Sequence, residues 1–261
     1  MLSIPEDIIE GVITHLHWHH DRDTLMSCAV VSHSFFPASR KKLFFSVHLD
    51  HPQKPQKLHD LLNIEPDIAP IIRELYVEDF HEEVWCATNE YLPQLLMTMF
   101  RLELLSIAVP ESNPLTAWNH LSGDLQSAVE ERLRSHILSE IRVETLDLPL
   151  SIIGQFTHLR KFVLNDADFY DDSPGQSSHV PTGTDPHLEA LEVCRLSEPL
   201  PAAMSLLTGK LQHLYIGSSD PSTLAAMKDV IRSSGTTIRS IAWSYSSLCM
   251  TFVPTPVSHQ F

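Results

Sequence analysis

Ile72-Arg73-Glu74-Leu75-Tyr76-Val77 sets out a six-residue pattern, apolar-x-x-apolar-x-apolar, and the chain repeats it. Further copies are anchored at Leu102, Leu105, Ile107, at Val143, Leu146, Leu148, at Leu159, Phe162, Leu164 and at Leu188, Leu191, Val193. Leu211, Leu214, Ile216 and Ile238, Ile241, Trp243 complete seven. The closing apolar-x-apolar alternation is what a strand with one buried face requires, because successive side chains point to opposite faces. A supersecondary unit repeated along the chain implies stacking, since one copy cannot bury its own apolar face.

Between the copies the apolar period changes from two to between three and four. Trp118, Leu121, Leu125, Val129, Leu133 and Ile137 predict one amphipathic helix of five turns. Leu224, Met227, Val230 and Ile231 predict another, stopped at Gly235, and 90–100 and 201–207 are shorter candidates. Alternating short strands and helices make the chain α/β. The alternation resembles a leucine-rich-repeat solenoid over residues 68–245, and the resemblance implies parallel strands on a concave face with helices outside. The repeat is irregular. Its starts are 30, 41, 16, 29, 23 and 27 residues apart, and the Asn expected three residues after the last strand Leu is replaced by Pro110, Ser151 or Ser219. A doubly wound α/β domain is the alternative fold, but no Gly-rich strand-to-helix turn supports it.

Ahead of the repeats, Ser3 and Glu6 are spaced as a capping box, and Pro5 falls in the first turn of a helix. Ile8, Ile9, Val12, Ile13 and Leu16 place one apolar face on that helix. A His- and Asp-rich turn, 17–23, leads to a second helix that Asp23 is positioned to cap, carrying Leu25, Met26, Ala29 and Val30. A third begins near Ser34, with Phe35, Phe36, Leu43, Phe44 and Phe45. So few residues bury little core by themselves and call for a partner surface.

Residues 1–48 resemble an F-box. Ile4-Pro5 stands at the usual Leu-Pro, Ile8 and Ile9 at the following aliphatic pair, and Leu25, Val30, Val31 and Ser32 at the second-helix positions. Phe35 or Phe36 stands where many members have Trp. The departures are Ile for Leu, Phe for Trp, and a lengthened His17-Trp18-His19-His20 turn. The resemblance implies docking of a Skp-type adaptor, and through it a cullin ubiquitin ligase, by Ile4, Pro5, Ile8, Ile9, Leu25, Val30 and Val31. Residues 49–67 then read as a linker with a short helix around Leu58 to Leu62, and 246–261 as a C-terminal tail.

Composition narrows the function classes. The 261 residues are 43% hydrophobic and carry a formal net charge of −15, with 18 basic and 33 acidic side chains. Only −2 of this belongs to residues 1–50, so the repeat region is the acidic part, which argues against nucleic acid as a partner. The start of the chain lacks a basic segment followed by an apolar one, and no apolar run reaches membrane-span length. The expectation is an intracellular protein, cytoplasmic or nuclear. Cys28, Cys86, Cys194 and Cys249 are widely separated, so reduced thiols are expected rather than a disulfide framework or zinc site.

Chemistry-bearing motifs are sparse. His15 and His19 share a helical face at the i, i+4 spacing of some metal sites, but no third ligand follows at a suitable interval. Asp166, Asp168, Asp171 and Asp172 lack the Gly and terminal Glu of a calcium loop, and the polar segment 166–186 reads as an exposed insertion. There is no Gly-x-Ser-x-Gly, no His-Glu-x-x-His and no phosphate-binding Gly loop. Neither an enzyme nor a cofactor or metal is expected. In the repeats, the residues flanking the apolar pair should face outward. Glu74, Tyr76, Glu78, Thr145, Asp147, Lys161, Val163, Asn165, Glu192, His213, Tyr215 and Ser240 form a mildly acidic strip suited to a basic segment of a target protein. The expected function is a substrate-recruiting subunit of an F-box-type ubiquitin ligase. The alternative is a leucine-rich-repeat scaffold without a ubiquitin role, whose first helices cap the repeats and bury Ile4, Ile8 and Leu25 against them.

Overall fold

The computed structural model describes residues 4–17, 20–79, 85–110, 117–170, 188–195, 208–217, 227–228, 230–232 and 234–244. The expected helix at 201–207, the tail 246–261, Ser3, Trp18, His19, Leu224, Cys249 and most of the 166–186 segment lie outside them. The chain is α/β. Three helices come first: α1 (Glu6–His15), α2 (Arg22–Val31) and α3 (Phe36–Phe45). The turn between α1 and α2 is clasped at both ends, with the His17 N–H donating to Asp21 Oδ2 at 2.7 Å and the Asp21 N–H to the His17 carbonyl at 2.8 Å. Asp21, not Asp23, therefore stands at the start of α2, and Asp23 lies in its first turn.

Eight strands then form one sheet: β1 (Ser46–Leu49), β2 (Glu74–Glu78), β3 (Leu104–Ala108), β4 (Glu140–Glu144), β6 (Lys161–Asn165), β8 (Ala190–Cys194), β9 (His213–Ile216) and β10 (Ser240–Trp243). Every pairing is parallel, and the strands lie side by side in chain order. A separate parallel pair, β5 (Leu148–Pro149) and β7 (Phe169–Tyr170), sits beyond the ends of β4 and β6. The register stacks like on like. One row runs Val47, Leu75, Leu105, Ile141, Phe162, Leu191, Leu214, Ile241, and a second runs Leu49, Val77, Ile107, Val143, Leu164, Val193, Ile216, Trp243. These rows face the core and are closed by α4 (Lys54–Ile64), α6 (Tyr91–Thr98), α7 (Gly123–Leu133) and the 3-10 segment Leu150–Gln155. A short α5 (Trp85–Thr88) precedes α6. Helices pack in the order of the strands they follow, α4 on α6, α6 on α7 and α7 on the 3-10 segment. At β10 the row residues Ile241 and Trp243 are exposed.

Backbone hydrogen bonds repeat with the same regularity. The Arg73 carbonyl accepts from the N–H groups of both Glu103 and Leu104, that of Glu103 from Ser139 and Glu140, that of Ser139 from Arg160 and Lys161, and that of Arg160 from Glu189 and Ala190. Glu189 and Gln212 continue the series to His213 and Ser240. Past the strand ends, Thr145, Asp166 and Arg195 each take the left-handed conformation, with φ of 54°, 53° and 53°. These shared bonds and turns satisfy the backbone where the sequence lacks an Asn ladder.

Three expectations need correction. The third repeat is Leu138, Ile141, Val143, five residues earlier than Val143, Leu146, Leu148, since Ile141 pairs in register with both Leu105 and Phe162. Both sets fit the pattern, and Leu146 and Leu148 are buried too, so burial alone does not choose between them. The helix predicted from Trp118 to Ile137 is two elements. The 3-10 turn Trp118–His120 ends at extended Leu121, and α7 starts afresh after Ser122, whose Oγ accepts from the Leu125 N–H at 3.3 Å. Finally, β1 carries an eighth copy of the apolar pattern. Phe44, Val47 and Leu49 reproduce the apolar pattern inside residues assigned to the first module, and α3 passes into β1 without a linker. Residues 49–67 hold α4, whose Leu58 and Leu62 belong to the main core.

Candidate functional site

Two surfaces concentrate the side chains of interest. The first belongs to α1 and α2. A small core of Ile9, Ile13 and Leu25, joined by Leu16, Cys28, Phe35, Ala38 and Leu43, holds the three helices together and is separate from the main core. Of the proposed adaptor-binding residues, Ile9 and Leu25 are therefore interior. Ile4 and Ile8, each 54% exposed, and Val30 and Val31, 87% and 81% exposed, face solvent, as does Pro5. Val12 extends the Ile4 and Ile8 stripe by one turn, and Met26 lies one turn before Val30. Both Val12 and Met26 are exposed. α1 thus carries apolar residues on two sides, one closing the small core and one left open.

The second surface is the face of the sheet opposite the helices. Its first row reads Ser46, Glu74, Leu104, Glu140, Lys161, Ala190, His213, Ser240, and its second His48, Tyr76, Ser106, Arg142, Val163, Glu192, Tyr215, Ala242. A third, at the strands' C-terminal ends, reads Glu78, Ala108, Glu144, Asn165, Cys194. The sequence-expected Glu74, Tyr76, Glu78, Lys161, Glu192, His213 and Tyr215 fall on these rows. Asp147 does not. It follows β4, where its Oδ1 accepts from the Asp168 N–H at 3.1 Å and its carbonyl from the Trp118 N–H at 2.9 Å, so it ties loops together at the sheet's edge. His48, Ser106, Glu140, Arg142 and Glu144 were not anticipated. The five-residue offset hid Glu140, Arg142 and Glu144, and assigning β1 to the helical module hid His48.

The face is electrostatically knit at its centre. Arg142 Nε donates to Glu140 Oε1 at 2.7 Å, and Lys161 Nζ lies 3.1 Å from the same oxygen and 3.8 Å from Glu192 Oε2. Burial works against the Arg142 charge, but Glu140, with support from the nearby Tyr76 and Glu192, holds its pKa above the ordinary arginine range. Next to this, the His48 ring stacks on Tyr76 with centroids 4.3 Å apart and planes 10° apart, and His48 Nδ1 lies 3.4 Å from Glu78 Oε1. Burial and then the Glu74 carboxylate push the Tyr76 phenol up to about 12, so it keeps its proton and donates to Glu74 Oε2. At neutral pH this is a hydrogen-bonding, charged surface.

Elsewhere, the buried Cys86 thiol is raised by burial and by Asp79, whose Oδ2 also accepts from the Cys86 N–H at 2.8 Å. Among the described residues no group of three or more His, Cys, Asp or Glu is placed to hold a metal ion, and no helix is long and apolar enough to cross a membrane. His19, Asp171 and Asp172 lie outside that set. Comparison of the chain with models of known protein families and with curated proteins finds no match.

Proposed function

We propose that this chain is a substrate-recruiting subunit of a Skp-cullin-F-box ubiquitin ligase, with α1 and α2 docking the Skp-type adaptor and the polar face of the sheet holding a target protein. On this reading residues 44–244 are an irregular leucine-rich-repeat solenoid. Its support is the sequential parallel strand order and the repeated bonding at each strand start. The protein performs no bond chemistry. It raises the effective concentration of target lysines near the conjugating enzyme of the ligase.

The observation that carries the adaptor reading is the second apolar side of α1 and α2. Ile4, Ile8, Val30 and Val31 stay open to solvent although a core lies directly behind them. Each of the two helices leaves large apolar side chains exposed, and on this reading these are the residues that an adaptor covers. The cap reading expects Ile4 and Ile8 to be covered by the first repeat, and both are more than half exposed. Leu25 is covered, but by Ile9 and Ile13.

Co-purification with a Skp-type adaptor tests the reading. Ile8→Asp with Val31→Asp changes the open side only, whereas a charge at Leu25 would enter the small core and unfold it. Retention by the wild-type chain and loss in a variant with unchanged circular dichroism is the expected result. A folded wild-type chain that retains no adaptor would overturn the ligase function and leave the repeat scaffold.

A further inference from the structure

We propose that the entrance edge of the sheet, where β4 and β6 begin, docks an acidic segment of a partner protein, with a carboxylate held between His136 and His158 beside Arg160. This surface is distinct from the open side of α1 and α2 and from the polar face, so the proposal does not depend on the ligase reading. His136 lies in the turn before β4 and His158 in the turn before β6, and the two strands pair directly. Their rings stand edge to face with centroids 6.5 Å apart. His136, His158 and Arg160 are all exposed, and among the described residues none of their side chains enters a hydrogen bond or an ion pair.

Bonds on both sides of the imidazoles tie the two turns together. The Thr157 hydroxyl donates to the Arg134 carbonyl at 3.3 Å, and the Arg160 N–H donates to the Ser139 carbonyl at 2.8 Å. The neighbouring charges are engaged elsewhere, Arg134 by Glu130 and Gln155, and Lys161 by Glu140 and Glu192. Glu189, half-buried at the next strand entrance, is the acid that faces this group, and its N–H bonds the Arg160 carbonyl. Once the imidazoles take up protons, His136, His158 and Arg160 outweigh Glu189, and the site is positive within an acidic domain. The spacing favours an anion over a metal ion. A carboxylate oxygen accepting from both rings at about 2.8 Å stands about 4 Å from each ring centre, which spans the observed separation. A shared metal ion, about 2 Å from each nitrogen, would need the ring centres roughly 5 Å apart. Two protonated rings this close also repel each other, and an anion between them relieves that repulsion.

Fluorescence anisotropy on the full chain tests this with two labelled peptides of equal length, one with glutamates at alternate positions and one with glutamines there. The glutamate peptide should bind about fivefold or more tightly at a pH near 6 than at a pH near 8, because the imidazoles hold their protons only at the lower value. His136→Gln with His158→Gln should remove that pH dependence, Arg160→Gln should weaken binding at both values, and Glu189→Gln should strengthen it. His33→Gln with His120→Gln removes two exposed imidazoles elsewhere and should leave the pH dependence intact. Equal losses in the two histidine double variants would overturn the proposal by reducing it to net charge. Glutamine-peptide binding that is as tight, or no binding of the glutamate peptide to the folded chain, would overturn it as well. Adaptor co-purification decides the ligase reading separately.

Discussion

Arg73 and Glu103 are joined twice. The Arg73 carbonyl accepts from the Glu103 N–H at 2.7 Å, and the Arg73 guanidinium donates to the Glu103 carboxylate at 2.8 Å. The residue before β2 is thereby locked to the residue before β3, and the backbone half of this bond recurs at each later strand as far as β10. The recurrence gives each of these strands the same bonded entrance. It also explains why spacings as uneven as those between the repeats are tolerated. Each connection varies in length over the helical layer while the strand entrances remain bonded to one another.

Thr145 is a β-branched residue at a φ of 54°, a conformation such residues rarely take. Its hydroxyl donates to the Val109 carbonyl, bridging the turns after β4 and β3. Thr145→Ser keeps the hydroxyl and should unfold in urea near the wild-type midpoint. Thr145→Val keeps the shape, loses the bond, and should cost about 1 kcal/mol or more.

The two cores should respond separately to truncation. Phe162 is fully buried against Phe156 and Phe169, with ring centroids 5.0 and 6.4 Å away, and Phe162→Ala should cost about 3–5 kcal/mol. Leu25→Ala should cost about 2–5 kcal/mol, expressed in the small helical core. Hydrogen exchange distinguishes them: Leu25→Ala should speed amides of α1 and α2 while leaving those of β3, β4 and β6 protected. Uniform acceleration across the sheet would contradict two separate cores.

Tyr76 ties pH dependence to the polar face. Its folded pKa is raised to about 12, above the unfolded value near 10, because burial and Glu74 both disfavour the phenolate. The folded state keeps a proton that the unfolded chain releases, so stability falls as pH rises from about 10 to about 12 and levels off above that. Tyr76→Phe should remove this part of the alkaline decline, as followed by urea denaturation at several alkaline pH values. In Glu74→Gln, ultraviolet titration should show the phenol moving down while staying above its ordinary range, since burial remains.

Cys86 is fully buried and its thiol is raised by burial and the adjacent Asp79, whereas Cys28 is half-buried. The thiolate is the reactive form. Maleimide labelling followed by peptide mapping should therefore find Cys28 modified well before Cys86, and Cys86 modified only once urea unfolds the sheet. Early labelling of Cys86 would show that the chain around α5 opens far more readily than its burial implies.

Much of the architecture is legible along the chain. A period of two at Leu75 and Val77, Phe162 and Leu164, or Leu191 and Val193 specifies a strand with one buried face, because alternation along a strand is fixed by local geometry. The apolar stripes of α1 and α6 similarly specify helices. The acidic bias of the repeats and the positions of Glu74, Tyr76, Lys161 and Glu192 on one face follow from the same periodicities.

Tertiary structure decided what local pattern leaves degenerate. Leu138, Ile141, Val143 and Val143, Leu146, Leu148 satisfy the same spacing, and only pairing with Leu105 and Phe162 selects the first, which brings Glu140, Arg142 and Glu144 onto the polar face. Phe44, Val47 and Leu49 carry the pattern too, yet their strand exists by virtue of β2 beside it. On α1, Ile8 and Ile9 are alike as residues, but the position of Leu25 buries Ile9 and leaves Ile8 open. Alternation is a property of the chain, whereas register and burial are properties of the neighbours it meets.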